Sequence, residues 1–458
     1  MNKQTDIKIA VLGLGHVGLP TALGFADLGW SVVGVDKDRV KSEKILSGEV
    51  PFYEVGVDEL LRKHLDSGRF SIEPEVSKAT EEADVLFVCV DTPQREDGAA
   101  DLSMVESVAR DIAPHINGYK LIVEKSTSPV QTARRIKQSI QRYSGDRNLT
   151  TGSNGEEPAF DVAVNPEFLR EGLAVYDFFN PDRIVLGVES DRATSLLTTI
   201  YQPLLNRMDT TFEERVIVTD INTAEVIKHT SNAFLATKLS FINMVAELCE
   251  ATGADIGDVS RGIGMDHRIG SSYLRAGVGY GGSCLPKDIR AFNWIATQNQ
   301  VDFGLLDEVE RINGAMIDRF IAKLYKTLWV LKGKTLAVWG LSFKPGTDDV
   351  RDAPSLSIVR ELVDEGAKLK LYDPQAMDEF RRVFDGDPQN VTYCESALEA
   401  TDGAEALLIL TEWKEFLDID VDEVRDNMLV PVIVDGRNLM DPNEVRSKGF
   451  EYYSIGRP

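Results

Sequence analysis

Short apolar runs alternate with stretches of helical periodicity through the first part of the chain. The apolar runs predict six strands, at residues 8–12, 31–35, 85–90, 121–125, 162–164 and 184–188. Between them, residues 16–28 and 102–112 repeat apolar side chains at helical spacing. Strands that alternate with helices join by right-handed βαβ crossovers. The pattern therefore predicts a parallel sheet with helices on both faces.

A single long helical pattern follows over residues 222–251, and shorter helical patterns continue to residue 331. At ~1.5 Å per residue the long pattern predicts a helix of about 45 Å, which is more than one small core requires. We expect this helix to connect domains and to pack against a partner chain. A second series begins at Lys334 and includes a helix over 355–365. Its strands are predicted at 336–339, 369–372, 391–393, 406–410 and 432–434.

These patterns predict an α/β fold class, with two Rossmann-like doubly wound parallel-sheet domains joined by a central long-helix domain. We assign residues 1–212 to an N-terminal dinucleotide-binding domain, 213–330 to the central helical domain and 331–458 to the C-terminal domain. Residues 143–157, rich in Gly, Ser, Asn and Thr, indicate a surface loop. The C-terminal series lacks a dinucleotide signature, because Gly340-Leu341-Ser342-Phe343-Lys344 contains no G-x-G.

The net charge of the chain limits the classes of partner that it is expected to bind. Its 458 residues include 50 Lys and Arg against 74 Asp and Glu, a net charge of −24. This excess argues against a nucleic-acid groove, which needs a basic face, although local lysines and helix N-termini can still bind anions. No apolar run approaches the ~20 residues that span a bilayer, and the polar N-terminal segment lacks a signal-peptide pattern. We expect a cytoplasmic protein that binds neither nucleic acid nor membrane.

The cysteines and histidines give no sign of a metal. The four cysteines are scattered without a C-x-x-C pair, which argues against a zinc site or a disulfide framework. Cys89 lies in an apolar run and Cys249 in a helical pattern, so both are expected in the core. The five histidines show no ligand spacing such as H-E-x-x-H.

A glycine-rich hexapeptide, Gly13-Leu14-Gly15-His16-Val17-Gly18, joins the first predicted strand to a helix. It fits the G-x-G-x-x-G turn that brings backbone close to the pyrophosphate of a dinucleotide. Asp36, at the end of the next strand, is placed to bind ribose hydroxyls and to repel a 2′-phosphate, which favours NAD over NADP. Lys37 and Arg39 leave NADP open, and a glycine turn that binds nothing is the alternative.

The segment Gly281-Gly-Ser-Cys-Leu-Pro-Lys-Asp288 carries the second chemical signal. Cys284 lies between glycines and Pro286, a poor position for a core thiol, and the neighbouring Lys287 favours its thiolate. Asp288 can handle protons or water. A hydride-accepting cofactor and a thiol that holds a substrate together suggest an oxidation that goes past the aldehyde. A structural cysteine is the alternative.

Polar residues in three further segments suit the same chemistry. Lys228 and Asn232 are one helical turn apart and could stabilise an oxyanion together. Thr127 and the segment Asn165-Pro-Glu-Phe-Leu-Arg-Glu171 follow apolar runs, at the strand ends where ligands bind. Taken singly, a solvated helix face and ordinary loop residues are the simpler interpretations.

Together these motifs resemble those of the UDP-glucose/GDP-mannose dehydrogenase family. The resemblance rests on residues 281–288, 165–172, 124–127, 228–236 and 343–351, which occur in family order along nearly the whole chain. It implies an NAD domain, a central dimerisation domain and a C-terminal domain that binds the UDP part of a nucleotide sugar. A homodimer or a higher homo-oligomer is therefore expected.

The resemblance also implies roles for individual residues. The implied catalytic residues are Cys284 as nucleophile, Lys228 and Asn232 as the oxyanion-stabilising pair, and Asp288, Glu167 and Thr127 as the acid–base and water-organising group. The implied cofactor-binding residues are Gly13, Gly15, His16, Val17, Gly18, Asp36, Lys41, Thr92, Thr127, Glu171, Lys287 and Arg351. The implied substrate-binding residues are Glu167, Phe168, Leu169, Arg170, Glu171, Lys228, Asn232, Arg268 (towards a neighbouring subunit), Tyr273, Leu274, Arg275, Ala276, Gly277, Gly281, Phe343 and Lys344.

UDP-glucose is the favoured substrate, on the pattern of residues 268–277 and 343–351, with GDP-mannose and UDP-N-acetylhexosamines as alternatives. The expected reaction takes a primary alcohol to the acid in two hydride transfers to NAD, through a thiohemiacetal and a thioester on Cys284. A two-electron sugar dehydrogenase and a non-catalytic nucleotide-sugar binding protein are the rival hypotheses.

Two positions depart from the family pattern. Asp91 replaces the usual Gly or Asn, and Met244 replaces a common Glu and receives no catalytic role.

Overall fold

The computed structural model describes residues 7–145 and 159–458. The chain divides into two compact units, Met1–Ser231 and Asn232–Pro458. The finer three-domain division stays a prediction. Of the predicted surface loop, residues 146–157 lie outside the described residues. In the described ranges, no helix has both the length and the apolarity that crossing a membrane requires.

An eight-stranded sheet forms the centre of the first unit. Its strands are β1 (Lys8–Leu12), β2 (Ser31–Val35), β3 (Phe70–Ile72), β4 (Val85–Val88), β5 (Lys120–Glu124), β6 (Phe160–Val164), β7 (Ile184–Gly187) and β8 (Val216–Thr219). They lie in the order β3-β2-β1-β4-β5-β6-β7-β8, and they pair in parallel except that β7 is antiparallel to β6. The order reverses between β1 and β4, and in open α/β sheets ligands bind at the carboxyl ends of the strands beside such a reversal.

Helices cover both faces of this sheet. They are α1 (Gly18–Asp27), α2 (Arg39–Leu46), α3 (Val57–Asp66), α4 (Val76–Glu82), α5 (Ser103–Ile112), α6 (Thr132–Tyr143), α7 (Ala174–Phe179), α8 (Asp191–Arg207) and α9 (Phe212–Arg215). Alternate residues of β1 enter two separate cores, with Ile9 and Val11 in one and Ala10 and Leu12 in the other. A strand buried on both faces reads as a continuous apolar run, which is why the sequence predicts it.

The second unit contains a six-stranded parallel sheet in the order β11-β10-β9-β12-β13-β14. Its strands are β9 (Thr335–Trp339), β10 (Lys368–Tyr372), β11 (Val391–Tyr393), β12 (Ala406–Ile409), β13 (Val432–Asp435) and β14 (Glu451–Ser454). Its helices are α11 (Ile256–Gly264), α12 (Leu285–Gln298), α13 (Gly304–Leu328), α14 (Pro354–Asp364), α15 (Met377–Val383), α16 (Ala397–Thr401), α17 (Val421–Asn427) and α18 (Pro442–Ser447). The long helix α10 (Ile221–Thr252) begins in the first unit and ends in the second.

The predicted fold class is confirmed, and every predicted strand is present with its ends within two residues of the expected positions. Three strands, β3, β8 and β14, were not predicted. All three lie at sheet edges. Buried and exposed residues alternate along β14, while β3 and β8 are partly exposed. An edge strand lacks the continuous apolar run of a central strand, so its sequence resembles that of a loop.

Candidate functional site

The glycine turn after β1 leaves open space beside its backbone. Gly13 has a φ of +96°, and a Cβ there would lie 2.7 Å from the carbonyl oxygen of Cys89. A Cβ on Gly18 would lie 1.8 Å from the Gly13 oxygen, so only glycine fits at both positions. At Gly15 a Cβ would meet nothing within 4 Å. Helix α1 starts without a side-chain cap from Val17, so its first N–H groups can receive a phosphate.

Asp36 follows β2, and its carboxylate is bound on both oxygens. Oδ2 accepts the Leu14 N–H at 2.8 Å and the Lys41 ammonium at 3.0 Å, while Oδ1 accepts the Asp38 N–H at 2.9 Å. Each carboxylate oxygen has two lone pairs, so Oδ1 keeps acceptor capacity for a ribose hydroxyl. Lys41, predicted at the cofactor, thus places a cation directly against the carboxylate predicted to select NAD.

A buried ion pair joins Glu167 and Lys228. Glu167 Oε1 lies 2.8 Å from Lys228 Nζ, and both side chains are almost completely buried. The other oxygen, Oε2, accepts the Leu169 N–H at 2.7 Å, and the Thr127 hydroxyl donates to Oε1 at 3.3 Å. The Thr92 hydroxyl in turn donates to the Thr127 carbonyl at 2.7 Å. The structure therefore joins residues that follow β4, β5 and β6 to α10 in one connected group.

The Phe168 ring contacts two cations, Lys228 and Arg183. Lys228 Nζ lies 5.4 Å from the centroid of the Phe168 ring, and the guanidinium carbon of Arg183 lies 3.6 Å from the same centroid. Arg183 Nη2 also donates to the Ser231 hydroxyl at 3.4 Å. Both contacts are within the range of cation–π attraction. Sequence reasoning missed Arg183, because only folding brings the start of β7 to Phe168.

A buried lysine, Lys125, belongs to the same neighbourhood. Its Nζ donates to Asn165 Oδ1 at 3.1 Å, and that oxygen also accepts the Tyr201 hydroxyl at 2.5 Å. Burial lowers the pKa of Lys125, the Glu167 charge acts in the opposite direction, and the Lys228 charge lowers this pKa further. Lys125 was not predicted as a site residue, although residues 124–127 were recognised as a motif. A lysine after a strand is usually exposed, and its burial became visible only in the fold.

Cys284 occupies the N-cap position of α12, and its thiol is exposed. The positive end of a helix favours a thiolate. Pro286 fits the first turn, where its missing N–H is not needed. The Ser283 hydroxyl lies 3.5 Å from Cys284 Sγ. Exposure and helix position together suit a reactive nucleophile.

The remaining cysteines have the opposite character. Cys89, Cys249 and Cys394 are buried, which confirms the prediction for the first two. Burial raises the pKa of the Cys89 thiol to about 12, so it stays protonated and unreactive at neutral pH.

Asp288, in the first turn of α12, is 1% exposed, and its carboxylate contacts Asn232 and Lys287. Asn232 Nδ2 donates to Oδ2 at 2.5 Å, and Lys287 Nζ lies 3.0 Å from Oδ1. Lys287, predicted at the cofactor, therefore compensates the buried charge of Asp288. The three side chains form a connected group within the second unit.

The two glycines before the exposed thiol pack against residues 343–352. A Cβ on Gly281 would lie 2.2 Å from the Asp352 carbonyl oxygen. Gly282 has a φ of +87°, and a Cβ there would lie 2.6 Å from the Phe343 ring. The Gly282 N–H donates to the Arg351 carbonyl at 2.8 Å. Gly281, Phe343 and Arg351, all predicted at ligands, are thereby brought together.

The other predicted substrate residues of the second unit lie in different surroundings. Lys344 Nζ is 5.4 Å from the centroid of the Phe343 ring. The loop 273–277 buries three of its residues and exposes Arg275. Arg268 is exposed and forms an ion pair with Asp266 of its own loop at 2.5 Å. Its predicted reach into a neighbouring subunit stays a prediction.

Asp373 follows β10 as Asp36 follows β2, and it accepts hydrogen bonds from the turn after β9. Asp373 Oδ2 accepts the N–H groups of Leu341 and Ser342 at 2.7 and 3.0 Å and the Trp413 indole N–H at 3.1 Å. Its Oδ1 accepts two further backbone N–H groups at 2.9 and 2.8 Å. With both oxygens engaged in this way, Asp373 has no acceptor left for a ribose hydroxyl.

The folds and side chains of the two units are those of a Rossmann-type oxidoreductase with an exposed cysteine. Residues 7–205 match the NAD binding domain of the UDP-glucose/GDP-mannose dehydrogenase family, residues 222–315 its central domain and residues 337–442 its UDP binding domain. The chain belongs to this family. The predictions of an NAD cofactor and of an NAD-dependent nucleotide-sugar dehydrogenase are confirmed.

Individual relatives match the chain over almost its whole length. A UDP-glucose 6-dehydrogenase of Rhizobium meliloti (strain 1021) is 42% identical over 462 residues, covering 99% of this chain and 100% of the relative. The UDP-glucose 6-dehydrogenase TuaD of Bacillus subtilis (strain 168) is 40% identical over 451 residues, covering 98% and 93%. The solved structure of a UDP-glucose dehydrogenase from the hyperthermophilic archaeon Pyrobaculum islandicum is 35% identical, with a TM-score of 0.89 over 100% of this chain and 99% of that one.

Proposed function

We propose that this protein oxidises UDP-glucose to UDP-glucuronate and reduces two NAD per sugar. The observation that carries the proposal is the exposed Cys284 at the start of α12, in a chain similar over its whole length to UDP-glucose 6-dehydrogenases. The buried Glu167–Lys228 pair and the Asn232–Asp288 hydrogen bond supply polar groups suited to this oxidation.

The first unit fits NAD. The glycine turn is open at Gly15, the start of α1 can receive the pyrophosphate, and Asp36 keeps an acceptor for the ribose. When bound, NAD accepts one hydride in each of the two oxidations.

In the first oxidation the primary alcohol of the sugar loses a proton and a hydride and becomes an aldehyde. The Cys284 thiolate then forms a C–S bond with the aldehyde carbon, and the carbonyl oxygen becomes an oxyanion. Lys228 and Asn232, four residues apart on α10, stabilise this charge with an ammonium and an amide N–H. Protonation of the oxyanion gives a thiohemiacetal.

In the second oxidation the thiohemiacetal loses a hydride from carbon and a proton from its hydroxyl, which gives a thioester. Water adds to the thioester carbonyl, the C–S bond breaks, and the acid leaves while the thiolate is restored. The family resemblance assigns the orientation of this water to Glu167 and Thr127, and the uptake of its proton to Asp288. Because the aldehyde stays bonded to Cys284, the reactive intermediate is not released.

A panel of nucleotide sugars, followed by NADH absorbance and product analysis, tests the proposal. UDP-glucose should yield two NADH and UDP-glucuronate without free aldehyde. One NADH with accumulating aldehyde would identify a two-electron dehydrogenase instead. Binding of nucleotide sugars without any NADH would identify a binding protein.

A UDP-N-acetylhexosamine is the second candidate substrate. The solved structure of a UDP-D-ManNAc dehydrogenase from Pyrococcus horikoshii is 28% identical, with a TM-score of 0.83 over 98% of this chain and 99% of that one. A higher kcat/KM for UDP-N-acetylmannosamine than for UDP-glucose in the same panel would favour this candidate. GDP-mannose belongs in the panel as the third nucleotide sugar.

We also propose that the protein forms a homodimer, or a higher oligomer built from it, through α10. Phe234, Phe241 and Leu248 follow one another at seven-residue spacing and are 64%, 57% and 62% exposed. Seven residues are nearly two helical turns, so the three side chains share one face. A second copy of the chain is the partner that the family resemblance favours. The cytoplasmic location stays a prediction.

A further inference from the structure

Glu54 is a buried carboxylate that no motif identified. It lies between α2 and α3 and is 2% exposed. Its Oε2 accepts the Gly172 N–H at 2.7 Å, and its Oε1 accepts the Ala174 N–H at 2.9 Å. Both oxygens of Glu54 are therefore bonded to the segment that follows Glu171.

The position of Glu54 makes these hydrogen bonds strong. Ala174 is the first residue of α7, where unpaired N–H groups carry the positive end of the helix. Hydrogen bonds to an ionised carboxylate are shorter and stronger than neutral ones. A buried carboxylate is costly unless it is well bonded, and Glu54 meets this requirement with an N–H group on each oxygen.

The loop 165–173 is anchored at its other points as well. Its beginning is fixed by the Glu167–Lys228 ion pair. Its middle is fixed by Arg170, which donates to both oxygens of Asp177 at 2.9 and 2.6 Å. Glu54 supplies the anchor at the end, so Glu171 lies between two fixed neighbours.

The segment that carries Glu54 also touches the glycine turn. Phe52 stacks on the His16 ring with centroids 4.2 Å apart and planes inclined by 28°. His16 belongs to the glycine turn, and Phe52 is only two residues from Glu54. One short segment thus contacts the predicted cofactor turn through a ring and the predicted substrate loop through a carboxylate.

We propose that Glu54 is a positioning residue, which fixes the loop carrying Glu167 and Glu171 for the nucleotide sugar while making no contact with the reacting atoms. The proposal rests on the proposed function, because it assigns this loop to UDP-glucose. A loop held to within a fraction of an ångström is what a hydride transfer requires, since small displacements are costly in rate.

The test compares Glu54→Gln with Glu59→Gln, the same change at an exposed position of the neighbouring α3. The amide of glutamine at position 54 keeps one acceptor oxygen for one N–H group. Its NH₂ group would face the other N–H group, so that hydrogen bond is lost. We expect kcat/KM for UDP-glucose to fall on the order of ten- to a hundredfold. KM for NAD should change less, since of this loop only Glu171 is implied at the cofactor. Glu54→Asp keeps both oxygens and should give an intermediate kcat/KM. Rates are divided by the folded fraction, measured by circular dichroism at the assay temperature.

Two results would overturn the proposal. In one, Glu54→Gln matches Glu59→Gln in kcat and in both KM values. In the other, the decrease in kcat/KM disappears completely after division by the folded fraction. Glu54 would then only stabilise the fold as a cap of α7. Failure of the proposed function gives a different result, because the wild-type protein would then leave UDP-glucose unchanged. The same comparison would in that case be made with the nucleotide sugar that the panel identifies.

Discussion

The Lys228 ammonium lies 2.8 Å from the Glu167 carboxylate, and neither side chain is accessible to water to a significant extent. The cation is thus fixed and desolvated before a substrate develops any charge. A preorganised charge of this kind needs no rearrangement during the reaction, which is what oxyanion stabilisation demands. In the proposed mechanism this pair ties catalysis to stability, because removing either partner leaves the other one buried without its counter-charge.

Lys228→Met should lower kcat by about 10²-fold or more, because it removes the charge at the developing oxyanion. It should also lower the free energy of unfolding by about 3 kcal/mol, since Glu167 loses its partner. Initial rates and urea unfolding measure the two effects. The double variant Lys228→Met/Glu167→Gln should regain stability without regaining activity. A single variant that keeps the wild-type rate would show that Lys228 is structural.

Cys284→Ala should abolish formation of the acid and leave the binding of NAD and UDP-glucose unchanged, because neither binding step needs the sulfur. Cys284→Ser should accumulate an ester whose mass is detectable on the intact protein, since an ester hydrolyses more slowly than a thioester. Mass spectrometry and product analysis check both outcomes. Cys394→Ala, which removes a buried thiol from another part of the second unit, serves as the control and should stay active. Acid production by Cys284→Ala at the wild-type rate would refute the covalent mechanism.

Asp36→Ala should narrow the preference for NAD over NADP through two effects. The first is the loss of an acceptor for the ribose hydroxyls of NAD. The substitution also releases the Lys41 ammonium, which is 3.0 Å from Asp36 and would then be available to a 2′-phosphate. In the double variant Asp36→Ala/Lys41→Ala, the part of the gain in NADP use that comes from the Lys41 ammonium should disappear. The ratio of kcat/KM values for the two cofactors measures each contribution. Equal use of NAD and NADP by the wild-type protein would contradict the role assigned to Asp36.

Glu124 should make stability depend on pH. It is fully buried at the end of β5, and burial, together with the charge of Glu225, raises its pKa well above the usual value of 4.5. Glu225 accepts the Gln131 N–H at 2.6 Å and the Ala133 N–H at 3.1 Å, so it is the better placed of the two to carry charge. The folded state therefore holds a proton on Glu124 that the unfolded state releases.

A raised carboxyl pKa stabilises the folded state below the unfolded pKa, and this contribution is lost as the pH rises through the folded pKa. Glu124→Gln keeps the neutral form at every pH. Its free energy of unfolding, relative to the wild-type value, should therefore increase as the pH rises from about 5 to about 8. Urea unfolding at several pH values measures this difference. A difference that stays constant over the range would show that Glu124 does not change its protonation on unfolding.

Phe241→Glu should weaken the proposed dimer, because it places a charge in the middle of the exposed apolar stripe of α10. Sedimentation velocity should show monomers at concentrations where the wild-type protein is dimeric. Leu429→Glu makes the same kind of change at a residue that is 70% exposed outside α10, and it should leave the association unchanged. A wild-type protein that sediments as a fully active monomer would exclude the dimer.

Features encoded by a short local pattern were predictable from the sequence. The glycine turn and α10 needed only residue spacing, and Cys284 was conspicuous because glycines and Pro286 surround it. Edge strands such as β3 were not predictable, because partial exposure removes the apolar run. The antiparallel direction of β7 was also missed, since a strand pattern carries no direction.

Contacts between distant segments were beyond the reach of the sequence. Glu54 and Gly172 are separated by 118 positions, and nothing in either segment indicates that a carboxylate meets an N–H group there. Lys125 likewise owes its burial, and Arg183 its contact with the Phe168 ring, to residues brought in by folding. The motifs could name the candidate catalytic residues, but the side chains that hold them in place became visible only in three dimensions.

The saturated carboxylate of Asp373 bears on the timing of the catalytic cycle. Of the two turns compared above, the one beside Asp36 keeps an acceptor oxygen, so it is the one of the two that suits a dinucleotide. The proposed reaction then requires an exchange of NADH for NAD between the two oxidations, while the half-oxidised sugar stays bonded to Cys284. Cofactor exchange with the sugar held on Cys284 is then a step of every proposed turnover, in addition to the bond-breaking steps.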